Sequence, residues 1–198
     1  MHEIAIDRGF DESERAAVAG LYAEAFAGKL RAAFATRDRL DSTVAQALQP
    51  DRVLVARDRV TREVLGVCGW VHEHRGALRI DWAGLRRHLP RAAALRAWAV
   101  LSPLARSGSD QRLVLDGICV VPRHRGRGVG SALLAAASQL ASELGLTAVQ
   151  LSVVDANPGA ERLYRRLGFT PTDHGSMGVL AWLYGFERFT TLRRAVSV

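Results

Sequence analysis

The stretch from Leu113 to Leu144 constrains the fold more than any other part of the chain. Leu113-Val114-Leu115-Asp116-Gly117-Ile118-Cys119-Val120-Val121 is an apolar, β-branched run that stops at Pro122, the pattern of a buried strand. A glycine-rich turn follows, and an apolar helical pattern then runs from Ser131 to Leu144, where Gly145 ends it. Thr147 to Val154 reads as a second β-branched strand, and Pro158 to Leu167 as a helix opened by Asn157 and closed by Gly168. Strand and helix alternate, which predicts an α/β fold.

The turn itself, Arg123-His124-Arg125-Gly126-Arg127-Gly128-Val129-Gly130-Ser131, predicts a binding site. Its three glycines allow several backbone N–H groups to converge on one point without side chains in the way. The next helix adds its own unpaired N–H groups and the positive end of its dipole. Phosphate is the natural guest. A nucleotide P-loop is excluded because the turn has no lysine followed by Ser or Thr. The dinucleotide fingerprint is excluded because Gly126, Gly128 and Gly130 are spaced G-x-G-x-G rather than G-x-G-x-x-G.

Around this unit the chain offers further elements. Glu3 to Asp7 alternates as a strand. From Ser13, a candidate N-cap before Glu14, the positions Val18, Leu21, Tyr22, Ala25 and Phe26 recur at helical spacing until Gly28. A helix over Arg37–Leu48 stops at Pro50, and Arg52–Asp58 with Val64–Glu73 form a hairpin pattern. Residues 75–107 read as a helical insertion, with Pro90 opening a helix through Leu104, and the tail predicts strands over Met177–Phe186 and Arg188–Ala195. Without repeats or linkers, residues 1–198 read as one domain.

Composition matters here through charge. The chain of 198 residues carries a net charge of +7, with 27 Lys+Arg of which only Lys29 is lysine. Seven arginines against Asp81 alone place most of that excess in residues 75–107. Either a solvated helix surface or a docking face for an anionic partner accounts for it. Cys68 and Cys119 are too few for a disulfide framework, and no metal site is expected. The N-terminus is acidic where a signal peptide is basic, and no stretch, the candidate Ser176 to Phe186 included, approaches the roughly 18–20 uncharged apolar residues needed to span a bilayer. A cytoplasmic protein is expected.

Two motifs together resemble the GNAT acyltransferase family. Arg125-Gly126-Arg127-Gly128-Val129-Gly130 matches the family's Arg/Gln-x-x-Gly-x-Gly signature, and Asn157-Pro158-Gly159-Ala160-Glu161-Arg162-Leu163-Tyr164-Arg165-Arg166-Leu167-Gly168-Phe169 is similar to its N-x-x-A-x-x-L-Y-x-x-x-G-F helix. The resemblance covers residues 112–170 and implies a mixed central sheet of six to seven strands flanked by helices. It implies acetyl-CoA as co-substrate, with the pyrophosphate on Arg125 to Ser131 and the pantetheine arm beside Ile118, Cys119, Val120 and Asn157. It also implies that the Val120 N–H faces the thioester oxygen and that Tyr164 is the general acid. Asn157 and Tyr164 lie seven residues apart, about 10 Å along one helix face.

The general base is less determined. Asp116 alternates in phase with Ile118 and Val120 and is expected on their face of the strand; Glu73 and Glu24 are further candidates. No base stands beside either cysteine, so direct transfer to a primary amine in a ternary complex is expected rather than an acyl-cysteine. A nucleic-acid or ribosome-associated module and a catalytically silent CoA-binding protein are the rival readings. The acceptor, a small molecule or peptide, is not legible, although basic surroundings disfavour polyamines and aminoglycosides. Neither nucleic acid nor membrane is expected as a partner. Exposed Trp98, Trp182 and Leu183 are candidates for a homodimer face.

Overall fold

In the computed structural model, residues 3–30, 34, 36–79, 81–101, 111–178 and 181–196 are described. The elements run β1 (Ile4–Arg8), α1 (Arg15–Leu30), α2 (Arg37–Ala47), β2 (Val53–Asp58), β3 (Val64–Val71), α3 (Trp82–His88), α4 (Arg91–Leu101) and β4 (Arg112–Val120). They continue as α5 (Val129–Glu143), β5 (Ala148–Val154), α6 (Pro158–Arg166), β6 (Thr170–Ser176), α7 (Ala181–Tyr184) and β7 (Arg188–Ala195). Among the described residues the strands form one seven-stranded sheet of order β1-β2-β3-β4-β5-β7-β6. Only β4 and β5 pair in parallel; their neighbours pair antiparallel.

Helices cover both faces, so the inner strands are apolar on both sides. On β2, Val53 and Val55 join the cluster under α1, α2 and α4, whereas Leu54 and Ala56 join the one under α5. A buried arginine ties the sheet edge to the start of α1. Arg57 donates to both Glu14 oxygens at 2.7 Å and to Asp7 at 2.8 Å, with its side chain 4% exposed. Its guanidinium holds the Glu14 carboxyl below the usual carboxylate range.

Three local expectations are corrected. Asp11, not Ser13, stands at the first cap: Glu14 reaches back to its N–H in a capping box ahead of α1. That helix runs past Gly28 to Leu30, because one glycine in a helix interior costs only about 1 kcal/mol. The helix expected to open at Pro90 is present as α4, and the shorter α3 precedes it, the two separated at Leu89-Pro90 since the residue before a proline is pushed out of helical geometry. Residues 102–104 of the helix expected through Leu104 lie outside the described residues.

Where a strand is expected over Met177–Phe186, the described residues hold the short helix α7 instead; Met177 and Phe186 pack on the core, and an apolar run alone does not separate strand from buried helix. The edge strand beside β7 is β6, Thr-Pro-Thr-Asp-His-Gly-Ser, for which the sequence predicts no element. It is an exposed edge strand, where a proline is tolerated because one side makes no ladder bonds. Opposite it, the Phe189 ring lies where a Cβ at Gly175 would sit.

Candidate active site

β4 and β5 begin side by side and then part. Their pairing covers only Arg112↔Ala148, Leu113↔Val149 and Val114↔Gln150, while β4 stays on β3 as far as Val120 and β5 stays on β7 along its whole length. The divergence opens a cleft of about 930 Å³ between the two halves of the sheet. Its walls come from β4, β5, the glycine turn, α5 and α6, together with Leu21 and Glu24 of α1.

A bulge sits where the strands separate. Gly69 of β3 faces Gly117 and Trp70 faces Leu115, so Asp116 is the extra residue on β4. Leu113 and Leu115 pack under α5 before the bulge and Ile118 and Val120 after it, which reverses the alternation. Asp116 therefore does not share the face of Ile118 and Val120, contrary to the expectation from simple alternation. Its carboxylate points toward α1: Oδ1 lies 3.4 Å from the Tyr22 hydroxyl, and Oδ2 accepts from the Ala77 N–H at 3.3 Å. Asp116 still lines the cleft.

Beyond the bulge the backbone direction is fixed by the ladder. The Val121 N–H donates to the Leu65 carbonyl at 3.0 Å. Antiparallel alternation then turns the Val120 N–H and C=O away from β3, toward the edge that β5 has left. The Arg125 Nε donates to the Val120 carbonyl at 3.1 Å and holds that side chain against the cleft.

At the turn, Gly126 and Gly128 have φ of 75° and 86°, a region L-residues avoid, and a Cβ on either would meet open space. Gly130 does a different job: a Cβ there would approach the Leu163 side chain to 3.2 Å, so it sets how closely α5 and α6 pack. The first bond within α5 runs from the Ala132 N–H to the Gly128 carbonyl. The N–H groups of Val129, Gly130 and Ser131 precede it and point out of the helix end. Gly126, Gly128, Val129, Gly130 and Ser131 line the cleft; Arg127 does not.

α6 forms the opposite wall. Asn157 caps it, its Oδ1 accepting the Ala160 N–H at 3.1 Å, and Pro158 occupies the first turn where no N–H is needed. Asn157 and Tyr164 both line the cleft, and Tyr164 is buried against Phe169 with ring centroids 6.1 Å apart. Ile118, Cys119 and Val120 line the β4 side. Burial first, then the Asp116 carboxylate, pushes the Cys119 thiol up to about 12. Glu73 is absent from these walls; it forms with His74 a two-residue turn at positive φ between the mutually bonded His72 and Arg75. His124, Arg166 and Tyr22 were not foreseen. His124 and Arg166 carry no periodic signal, and Tyr22 reads as core.

These features form one cleft whose glycine turn presents backbone N–H groups unobstructed by side chains. A model of the acetyltransferase (GNAT) family matches residues 37–169, more than half the chain. The chain belongs to the GNAT acetyltransferase family. GNAT enzymes take acetyl-CoA as donor. It is 41% identical over 63 residues to a streptothricin acetyltransferase of Streptomyces lavendulae, covering 32% of this chain and 33% of that protein. It is also 38% identical over 77 residues to N-acetyltransferase 8 of Rattus norvegicus, covering 39% of this chain and 34% of that one. The chain thus spans about a third of the length of the curated relatives it matches. The crystal structure of an N-acetyltransferase from Staphylococcus aureus Mu50 shares the GNAT fold, with a TM-score of 0.67 at 17% identity over 96% of this chain and 100% of that one. Among the described residues no group of His, Cys, Asp and Glu is arranged to hold a metal ion, and no helix is long and apolar enough to cross a membrane.

Proposed function

We propose that this GNAT enzyme transfers an acetyl group from acetyl-CoA to a primary amine of a small molecule or peptide by direct attack in a ternary complex. The observation that carries the reading is the parting of β4 and β5 in front of the open glycine turn, which joins a phosphate cradle to a slot walled by Tyr164 and Asp116. The residues fit the donor: the left-handed Gly126 and Gly128, with space where a Cβ would be, leave backbone N–H groups for phosphate oxygens. Bound acetyl-CoA supplies the thioester that a neutral amine attacks.

The chain's own groups divide the remaining work. The turn, the N–H groups opening α5 and Arg125 bind the phosphates. Val120 offers a fixed N–H donor where negative charge develops on the carbonyl oxygen, at little reorganisation cost. Tyr164 holds a hydroxyl proton for the departing sulfur, and Asp116 receives the proton that the amine loses. Cys119 stays a thiol at neutral pH, which supports direct transfer over an acyl-cysteine.

Charge along the cleft also bears on the acceptor. Arg125 of the turn and Arg166 of α6 line the cleft, and Glu24 and Asp116 are the carboxylates of its walls. No described residue of the basic 75–107 stretch lines the cleft. Repulsion from those arginines therefore no longer argues against cationic amines. The test is thiol release from acetyl-CoA with a panel holding streptothricin, spermidine, lysine and a peptide with a free N-terminus. Amine-dependent release with at least one member is expected. Tight acetyl-CoA binding without release from any would favour a silent binding protein, and salt-sensitive duplex binding without release a nucleic-acid module.

A further inference from the structure

We propose that Tyr22 is a positioning residue that fixes the orientation of the Asp116 carboxylate on the α1 side of β4 and favours its charged form. The inference rests on the reading of Asp116 as the proton acceptor but concerns a residue outside the cleft walls. Tyr22 belongs to the apolar stripe of α1 and is fully buried. A phenol so placed must bring its hydroxyl to a polar partner, because an unmatched buried hydroxyl is costly. The hydroxyl stands 3.4 Å from Asp116 Oδ1, 94 residues away in sequence.

Three features of the surroundings are built around this contact. Gly69 on β3 lies directly over it, and a Cβ there would collide with both the Tyr22 hydroxyl and Asp116 Oδ1. The β4 bulge brings Asp116 to that side of the sheet in the first place. The Ala77 N–H takes the other carboxylate oxygen at 3.3 Å, so each oxygen meets a donor. Two donors on one carboxylate favour its charged form and fix its plane.

The titratable groups that interact with Asp116 come from three elements, Tyr22 of α1, Cys68 of β3 and Cys119 of β4, while Glu24 and Arg125 act on Cys119 and line the cleft with it. Burial, reinforced by Asp116, holds the Tyr22 hydroxyl and the Cys68 thiol well above their ordinary values, and Cys119 is raised with them. All three remain protonated near neutrality. The Tyr22 proton is then available only for donation.

The test uses the full chain with 13C-labelled aspartate side chains, the Asp116 signal being assigned by its loss in Asp116→Asn. Tyr22→Phe keeps the ring and removes only the donor. We expect its Asp116 titration midpoint to rise by about one pH unit, with acetyl-CoA affinity unchanged. The acid limb of kcat/KM for the best amine of the panel moves the same way. An unmoved midpoint in a Tyr22→Phe protein that melts like wild type overturns the proposal. If the midpoint moves while Asp116→Asn transfers acetyl at the wild-type rate, Tyr22 still positions the carboxylate and the base assignment alone falls.

Discussion

Tyr164 is 9% exposed, yet it lines the cleft. Its ring packs in the core with Phe169, so Tyr164→Phe preserves the packing and removes the proton donor. Turnover should fall by about tenfold or more, with acetyl-CoA affinity within about twofold by calorimetry; unchanged turnover removes Tyr164 from the reaction. Cys119 gives a prediction of a different kind. Its thiol is raised from 9.0 to about 12 in the folded protein, so the unfolded chain releases that proton first as pH rises. The stability it contributes is complete below pH 9 and is lost as pH climbs toward 12. Urea midpoints should therefore decline across that window, and less steeply in Cys119→Ala; equal slopes would contradict the assignment. Cys68 and Tyr22, both raised by burial, leave a residual slope.

At the scale of elements, the three turn glycines separate into two roles that substitution can distinguish. Gly128→Ala places a side chain at a φ of 86°, which costs about 1–2 kcal/mol, and should also weaken acetyl-CoA binding about tenfold by disturbing the N–H cradle. Gly130→Ala meets only the end of the Leu163 side chain at 3.2 Å and should leave affinity within about threefold. Equal losses in the two, by calorimetry and thermal melts, would contradict this division. This turn and α6 were legible in the sequence because their signals are local: glycines at fixed spacing, Asn157 before Pro158, and Gly168 after the last turn. The face of Asp116 was not, because a bulge depends on the partner strand. Nothing in residues 112–120 says that Trp70 will face Leu115 while Gly69 faces Gly117. Tyr22 was hidden for a related reason, since its hydroxyl partner comes from β4.

Across the whole molecule, the parted sheet gathers both halves of the chemistry at one opening, and the excess positive charge lies elsewhere. Arg87 and Arg91 are exposed on α3 and α4, and Arg86 donates to the Leu89 carbonyl at 3.2 Å beyond the end of α3. Reversing Arg87 and Arg91 to Glu should leave acetyl-CoA affinity and turnover with small amines within about twofold. A larger change in either would place that surface in the reaction. Trp182 is 82% exposed and Trp98 49%, while the Leu183 side chain lies outside the described ones. The central claim is direct transfer within the cleft, and a matrix of initial rates tests it most directly. Thiol release is measured over crossed concentrations of acetyl-CoA and the best amine of the panel. Double-reciprocal lines that intersect are predicted, because both substrates occupy the cleft before transfer. Parallel lines that persist in wild type and vanish in Cys119→Ala would contradict it.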